Sequence, residues 1–424
     1  MNKTLRFLDI FAGAGALSEG FIRTGYSPVA HVEMDTAACY TLKTRMAYHW
    51  LRSQGRTDAY YDYLHGKISR FKLYEMVPKS LITSVINAEI GKESLPEIFA
   101  QIDELLDGQS LDLIIGGPPC QAYSFVGRSR DKNRMQGDKR NYLYVYYVEF
   151  LKRYMPRYFV FENVTGLFSA KSPDGVLYFE SMRELFLKAG YKTEYKVLFA
   201  NDYGVLQKRK RIILVGKRGK ETGFYPEPEM WQPQVKVNEI LQDLPELQAG
   251  DGSMLPCRLK KYTGRYLYEA GIRNDDMPVT LHQSRPNTNQ DLEIYRIAVR
   301  KWNEKHERLH YKDLPERLKT HQNHSHSRDR FKVVAADIAY SHTVVAHISK
   351  DGHYYIHPDI NQNRSLTPRE AARLQTFPDD YFFEGILEKP GRTAAYHQIG
   401  NAVPVLLSQR IAEKLQKVFN QSNN

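Results

Sequence analysis

Over roughly the first 220 residues, short apolar runs alternate with longer polar stretches whose apolar positions recur at helical spacing. The runs are Arg6 to Ile10, Val29 to Val32, Leu111 to Ile115, Tyr158 to Phe161, Tyr195 to Phe199 and Ile212 to Val215. They are rich in β-branched and aromatic residues and end in Gly, Pro or polar breakers, which is the pattern of buried strands. Alternation of this kind predicts an α/β fold built on a doubly wound, Rossmann-like parallel sheet. The last two runs are joined by Ala200 to Lys210, too short for a crossover helix, so they predict an antiparallel hairpin at the sheet edge.

Around residue 225 the pattern changes. Prolines at 226, 228 and 233 interrupt any regular period, and the chain to about 365 is polar and rich in His, Arg, Asn and Tyr. Between Tyr295 and Lys332, eleven Lys/Arg face five Asp/Glu, with five His besides. That composition predicts a second, smaller domain with a charged surface. A helix then begins at Thr367, where Thr can cap, Pro368 suits the first turn and Glu370 can complete a capping box. From Val403 the tail is helical again, with Val405, Leu406, Ile411 and Leu415 at packing spacing.

Composition narrows the class. Of the 424 residues, 42% are hydrophobic and 26% charged, which is globular composition long enough for two domains. The 60 Lys+Arg exceed the 49 Asp+Glu, giving a net charge of +11, so a polyanion is the first partner to consider. No apolar stretch approaches the ~20 residues of a membrane span. The first apolar segment carries Asp9 and lacks a small-residue cleavage pattern behind it, which argues against a secretory signal. Cys39, Cys120 and Cys257 are isolated, so neither a disulfide framework nor a thiolate zinc site is indicated, and a cytoplasmic setting is expected. His321, His324 and His326 match no zinc spacing and read as polar surface; no metal is expected.

Two loops carry candidate chemistry. The first strand runs into Phe11, Ala12, Gly13, Ala14 and Gly15, small residues that let a backbone approach a ligand at a helix N-terminus. Glu33 follows the second run, twenty residues after Gly13, where a carboxylate can accept from both ribose hydroxyls, and Met34 offers a polarizable surface to a purine. Together they indicate a nucleoside cofactor without separating NAD from S-adenosylmethionine. The third run ends differently: after Ile115, Gly-Gly-Pro-Pro leads to Cys120, a thiol held by a stiffened loop at the carboxyl rim. Glu162 ends the Tyr158 run at that rim, and the hairpin residues Gln207 to Arg211 turn over beside it. Cofactor loop, thiol, carboxyl and guanidinium therefore converge on one cleft.

In motif order the chain resembles the cytosine-C5 DNA methyltransferases of bacterial and phage restriction-modification type. The matching segments are Asp9 to Gly15, Gly117 to Gln121 (Gly-Pro-Pro-Cys-Gln), Phe161 to Val164 (Phe-Glu-Asn-Val), Gln207 to Arg211, Arg364 to Pro378 and Gln398 to Pro404. The resemblance implies a catalytic S-adenosylmethionine-binding domain over 1–225, completed by 388–424, and a target-recognition domain over 226–387, whose variable stretch runs from about 225 to 363. It implies Cys120 as nucleophile, Glu162 at cytosine N3, and Arg211, with Arg209 nearby, at the ring oxygen. Phe11, Ala12, Gly13, Ala14, Gly15, Glu33, Met34, Pro118 and Asn401 would surround S-adenosylmethionine. The acidic adenine contact falls at Glu89, where the family usually has Asp. Residues 45–80 exceed the family minimum, with no role assigned.

The chemistry fits those residue types. Thiolate attack at C6 breaks the ring's conjugation and makes C5 enamine-like, able to take a methyl group from a sulfonium. A nearby cation favours the thiolate, and a protonated or shared-proton Glu162 would neutralise charge gathering on N3. The target base must leave the duplex, at a cost of a few kcal/mol. Phe125 to Arg140, with Arg128, Arg130 and Arg134, is expected to close on DNA through phosphate contacts. The implied partners are double-stranded DNA and a separately encoded restriction endonuclease, with the enzyme a monomer. The alternatives are a tRNA cytosine-C5 methyltransferase and a non-catalytic DNA-binding relative. A nicotinamide dehydrogenase leaves the Pro-Pro-Cys and Glu-Asn-Val segments unexplained.

Overall fold

The computed structural model describes residues 4–119, 142–274, 276–320, 330–388 and 391–421. Cys120, Arg128, Arg130 and Arg134, the whole Phe125 to Arg140 segment, and His321, His324 and His326 lie outside the described residues.

The sheet begins with β1 (Arg6–Ile10), α1 (Ala16–Arg23) and β2 (Ser27–Glu33). Four helices follow, α2 (Thr36–Ser53), α3 (Thr57–Leu64), α4 (Arg70–Glu75) and α5 (Lys79–Thr83), before β3 (Val85–Asn87). Next come α6 (Leu95–Leu106), β4 (Leu113–Gly116), α7 (Leu143–Tyr154) and β5 (Tyr158–Asn163). Then α8 (Tyr178–Lys188) leads to the hairpin β6 (Tyr191–Phe199) and β7 (Lys210–Arg218). The seven strands are ordered β3-β2-β1-β4-β5-β7-β6. All neighbours pair parallel except β7, which runs antiparallel to both β5 and β6. The expected α/β sheet and edge hairpin are therefore present.

Both faces of the sheet are covered, which is why its strands read as nearly continuous apolar runs. Phe7, Leu113, Ile115, Val160, Ile213 and Val215 point into one core and Leu8, Ile10, Ile114, Phe159, Phe161 and Leu214 into the other. Burying each such side chain contributes about 1.5–3 kcal/mol. The strand bounds differ from the sequence expectation where pairing overrides composition. Tyr191 starts β6 four residues early because its ladder with β7 continues to Arg218. Leu111 precedes β4, and there Asp112 instead accepts from the Arg6 N–H through its carboxyl.

Beyond β7 the chain is mostly irregular, with β8 (Gly252–Ser253) paired to β9 (His282–Gln283) and a long helix α9 (Asn289–Lys305). A separate cluster packs under α9, including Ile294, Tyr295, Leu309, Leu318 and Phe331. The helix α10 (Pro368–Leu374) starts as its sequence predicts, with Thr367 and Glu370 forming both halves of a capping box. Then α11 (Arg392–Asn401) and α12 (Val405–Gln421) return to the first face, where Leu366, Phe377, Ile399 and Leu415 join the core that holds Phe7. No helix among the described residues is long and apolar enough to cross a membrane.

Candidate active site

The strand order reverses direction between β1 and β4, and ligands bind beyond the carboxyl ends of strands at such a point. The β1 loop occupies one side of it. Phe11, Gly13 and Gly15 adopt positive φ of 58°, 55° and 78°, and Gly15 caps α1. A Cβ on Gly15 would come within 2.6 Å of Leu42 Cδ2, so no larger residue fits. A Cβ on Gly13 would meet nothing within 4 Å, leaving that side of the loop open for a ligand.

Glu33 closes the loop. Its Oε2 accepts from the Gly13 N–H and its Oε1 from the Asp35 N–H, both at 2.8 Å. Burial raises its carboxyl above the ordinary range, and the two N–H bonds oppose that. Met34 is exposed beside it. Asp9 lies deeper on the same face, fully buried, and neither carboxyl oxygen has a hydrogen-bond partner among the described residues. Burial holds its pKa well above the usual carboxylate value, with the Ser18 hydroxyl opposing the shift and the charge of Glu33 adding to it. An open glycine loop backed by Glu33 fits a nucleoside, and S-adenosylmethionine carries one.

The β4 loop faces this one. A Cβ on Gly117 would lie 2.6 Å from Glu162 Oε2, so glycine is what lets the loop leading to Cys120 touch that carboxylate. Asn163 Nδ2 donates to the Pro118 carbonyl at 3.3 Å and pins the same loop from β5. Glu162 in turn meets Arg211 of β7, Oε1 to Nε 2.5 Å, with both side chains mostly buried.

Arg209 departs from the expectation. Instead of joining Arg211 at the cleft, it is buried, with NH1 donating to the Val344 carbonyl at 2.5 Å and NH2 to the Gly400 carbonyl at 3.4 Å. Gln207 is anchored likewise. It donates to the Leu374 carbonyl and accepts from the Val344 N–H. Two members of the Gln-x-Arg-x-Arg segment thus fasten the hairpin to the C-terminal part of the chain, and the third reaches Glu162. The cation beside Glu162 is Arg211, not an Arg209/Arg211 pair.

The remaining expectations divide. Asn401 is exposed at the end of α11, 3.4 Å from His397. Glu89 is exposed just past β3. Nearer to the loop is Asn87, which sequence reasoning passed over. Its Nδ2 donates to the carbonyls of Glu33 at 3.2 Å and Met34 at 3.0 Å. Asn163, in the Phe-Glu-Asn-Val segment, is a second such residue, and the signal for both is a polar residue ending an apolar run. Among the described residues no group of three or more His, Cys, Asp or Glu is placed to hold a metal ion.

A seven-stranded sheet with one antiparallel insertion, a glycine loop at its switch point and a carboxylate at the same rim define a Rossmann-like methyltransferase fold. The sequence matches the family model of the C-5 cytosine-specific DNA methylases over residues 5–56 and 84–417, and the chain belongs to that family. It is 42% identical to the type II methyltransferase M.Bpa9945I of Bacillus paralicheniformis, over 97% of this chain and 99% of the relative. It is 28% identical to M.DdeI of Desulfomicrobium norvegicum, over 99% of this chain and 90% of that one. Among solved structures, a candidate DNA modification methyltransferase encoded within an E. coli prophage superposes with a TM-score of 0.62 at 21% identity. It covers 98% of this chain and all of the other, a likeness of fold.

Proposed function

We propose that this DNA cytosine-C5 methyltransferase is sequence-specific and works through a covalent bond from Cys120 to C6 of a flipped-out cytosine, giving 5-methylcytosine. The observation that carries the proposal is the Glu162–Arg211 ion pair in contact with Gly117, three residues from Cys120. A carboxyl beside a guanidinium suits the cytosine edge, with Glu162 hydrogen-bonding N3 and Arg211 the ring oxygen. As Cys120 adds, electrons move from the C5–C6 double bond toward N3, where a proton held or shared by Glu162 neutralises them. C5 is then electron-rich. S-adenosylmethionine supplies the electrophilic methyl when bound. A base, with ordered water as the candidate, removes the C5 proton, and Cys120 leaves as the ring regains its conjugation.

In this scheme Phe11 to Gly15, Glu33, Met34, Pro118 and Asn401 hold S-adenosylmethionine. Asn87 joins them because it fixes the carbonyls beside Glu33, and it has better support than Glu89. Residues from about 225 to 363 read the DNA, supported by their cationic composition and by a hydrophobic cluster under α9. Residues 1–225 with 388–424 carry the chemistry, joined by 364–387, which pack into the core that holds Phe7. Arg128, Arg130 and Arg134 contact phosphates. The type II names of the relatives support a role as the modification arm of a restriction-modification system. A separately encoded endonuclease as partner and a cytoplasmic monomer as the working form complete this reading.

Bisulfite sequencing of DNA from a methylation-free host tests this. Expression of the wild type should protect one cytosine within one recurring sequence, and Cys120→Ser should protect none. Protection by Cys120→Ser at the wild-type level would overturn the proposal.

A further inference from the structure

The family match omits residues 57–83. Those residues form α3, α4 and α5, and they are not idle. Tyr60 donates to the Asp380 carbonyl and Tyr63 to Glu384 Oε1, each at 2.6 Å. The Arg70 N–H meets Glu388 Oε1 at 2.6 Å, and its guanidinium donates to the carbonyls of Gly385 at 2.9 Å and Ile386 at 3.2 Å. The same guanidinium lies 3.5 Å from Glu384 and stacks over Tyr40 at 3.7 Å. Apart from the stacking on Tyr40, every one of these contacts ends on one strap, residues 380–388, between α10 and α11.

The strap touches the cofactor loop directly. Tyr381 donates to the Ala14 carbonyl at 2.5 Å, and its hydroxyl is one of the atoms that a Cβ on Gly15 would meet. Asp380 holds Arg45 at 3.0 Å, and Arg45 also holds Glu19 of α1, the helix that the loop opens into, at 2.6 Å. Midway along the strap the Glu384 carbonyl accepts from Gln398 of α11 at 2.9 Å, in the helix that ends at Asn401. Glu384 is fully buried, so its bonds to Tyr63, Thr44 and Arg70 fix it against one arrangement of the strap.

We propose that residues 57–83 are a latch that holds strap 380–388 against the Phe11 to Gly15 loop and thereby sets the affinity for S-adenosylmethionine. Arg70 and Tyr63 act as positioning residues, since neither approaches the loop itself. The inference rests on the assignment of that loop and Glu33 to the cofactor.

The test is calorimetric titration of S-adenosylhomocysteine into the full-length enzyme, paired with steady-state methyl transfer to duplex DNA. Coupling between packed elements typically amounts to about 5–150-fold in affinity. Arg70→Ala should weaken binding and raise the cofactor KM by about tenfold, with kcat at saturating cofactor within about twofold of wild type. Tyr63→Phe, which removes one hydroxyl, should give a smaller shift in the same direction, and Arg70→Lys should fall between Arg70→Ala and wild type. Should Arg70→Ala fail to fold, the other two variants decide. Glu33→Ala serves as the control for the underlying assignment. If Glu33→Ala weakens binding and the latch variants leave it unchanged, whatever they do to melting temperature, the latch is overturned. If Glu33→Ala binds as the wild type does, the cofactor assignment itself falls.

Discussion

Arg211 and Glu162 are held in an ion pair across the antiparallel β5–β7 ladder, Nε to Oε1 2.5 Å, at the rim where the β4 loop ends. Each side chain fixes the other before any base arrives, so little reorganisation remains to be done at the moment of reaction. Glu162→Gln keeps the shape and removes the carboxyl through which a proton can be shared with N3. Its kcat should fall by about 10²–10⁴-fold, with S-adenosylhomocysteine affinity unchanged. Single-turnover methyl transfer at saturating cofactor measures it.

Gly117 tests how closely the loop must approach. An added methyl would sit 2.6 Å from Glu162 Oε2 and 2.9 Å from its carbonyl, so Gly117→Ala must push the loop or the carboxylate aside. Overpacking of this kind costs about 1–3 kcal/mol of stability. Misplacing the reacting groups by about 1 Å costs on the order of a hundredfold in rate. The variant should therefore remain folded by circular dichroism and lose most of its methyl transfer.

Glu33 bonds the Gly13 and Asp35 N–H groups and organises the loop around them. Hydrogen bonds to a charged group contribute about 1.5–3 kcal/mol each. Glu33→Ala should weaken S-adenosylhomocysteine binding by at least about tenfold, and Glu33→Gln, which retains one acceptor oxygen, by less. Calorimetric titration separates the two.

Acid should destabilise the fold earlier than carboxylate titration would. Burial pushes His31 and His357 down to about 3 and His342 to about 4, so all three are neutral in the folded chain near neutral pH. An unfolded His binds its proton near pH 6.5. Between about 6.5 and those depressed values the unfolded state holds more protons. Stability is therefore present above pH 6.5 and lost as pH falls. Each His contributes a loss of about 1.4 kcal/mol by pH 5.5. These three rings together should lower the unfolding free energy from urea titration by about 4 kcal/mol between pH 7.5 and 5.5, opposed by the buried Asp9 carboxyl, which holds its proton only in the folded chain. A His357→Gln variant with the pH dependence of the wild type would contradict the burial of that ring.

Much of this was legible because it is local. The apolar runs of β1, β2 and β5, the hairpin joined by ten residues, and the Thr367–Glu370 capping box each depend on neighbours in sequence. β3 was not delimited, since Val85 and Ile86 are too short a run to separate from a helix end. Sequence proximity misled at Arg209, which stands two residues from Arg211 yet bonds carbonyls 135 and 191 positions away. The same holds for residues 57–83. Their polar and aromatic side chains suggest no role until Asp380, Glu384 and Glu388 are brought against them. Partners contributed by distant segments leave no periodic trace.

The decisive measurement is mass spectrometry of the enzyme incubated with S-adenosylmethionine and a duplex bearing 5-fluorocytosine at the modified position. Fluorine cannot leave as a proton does, so an enzyme that adds to C6 is trapped after methyl transfer. A stable protein–DNA adduct whose crosslinked peptide contains Cys120 is the predicted result. Methylation of the ordinary duplex without any adduct on the fluorinated one, or an adduct on a different residue, would contradict it.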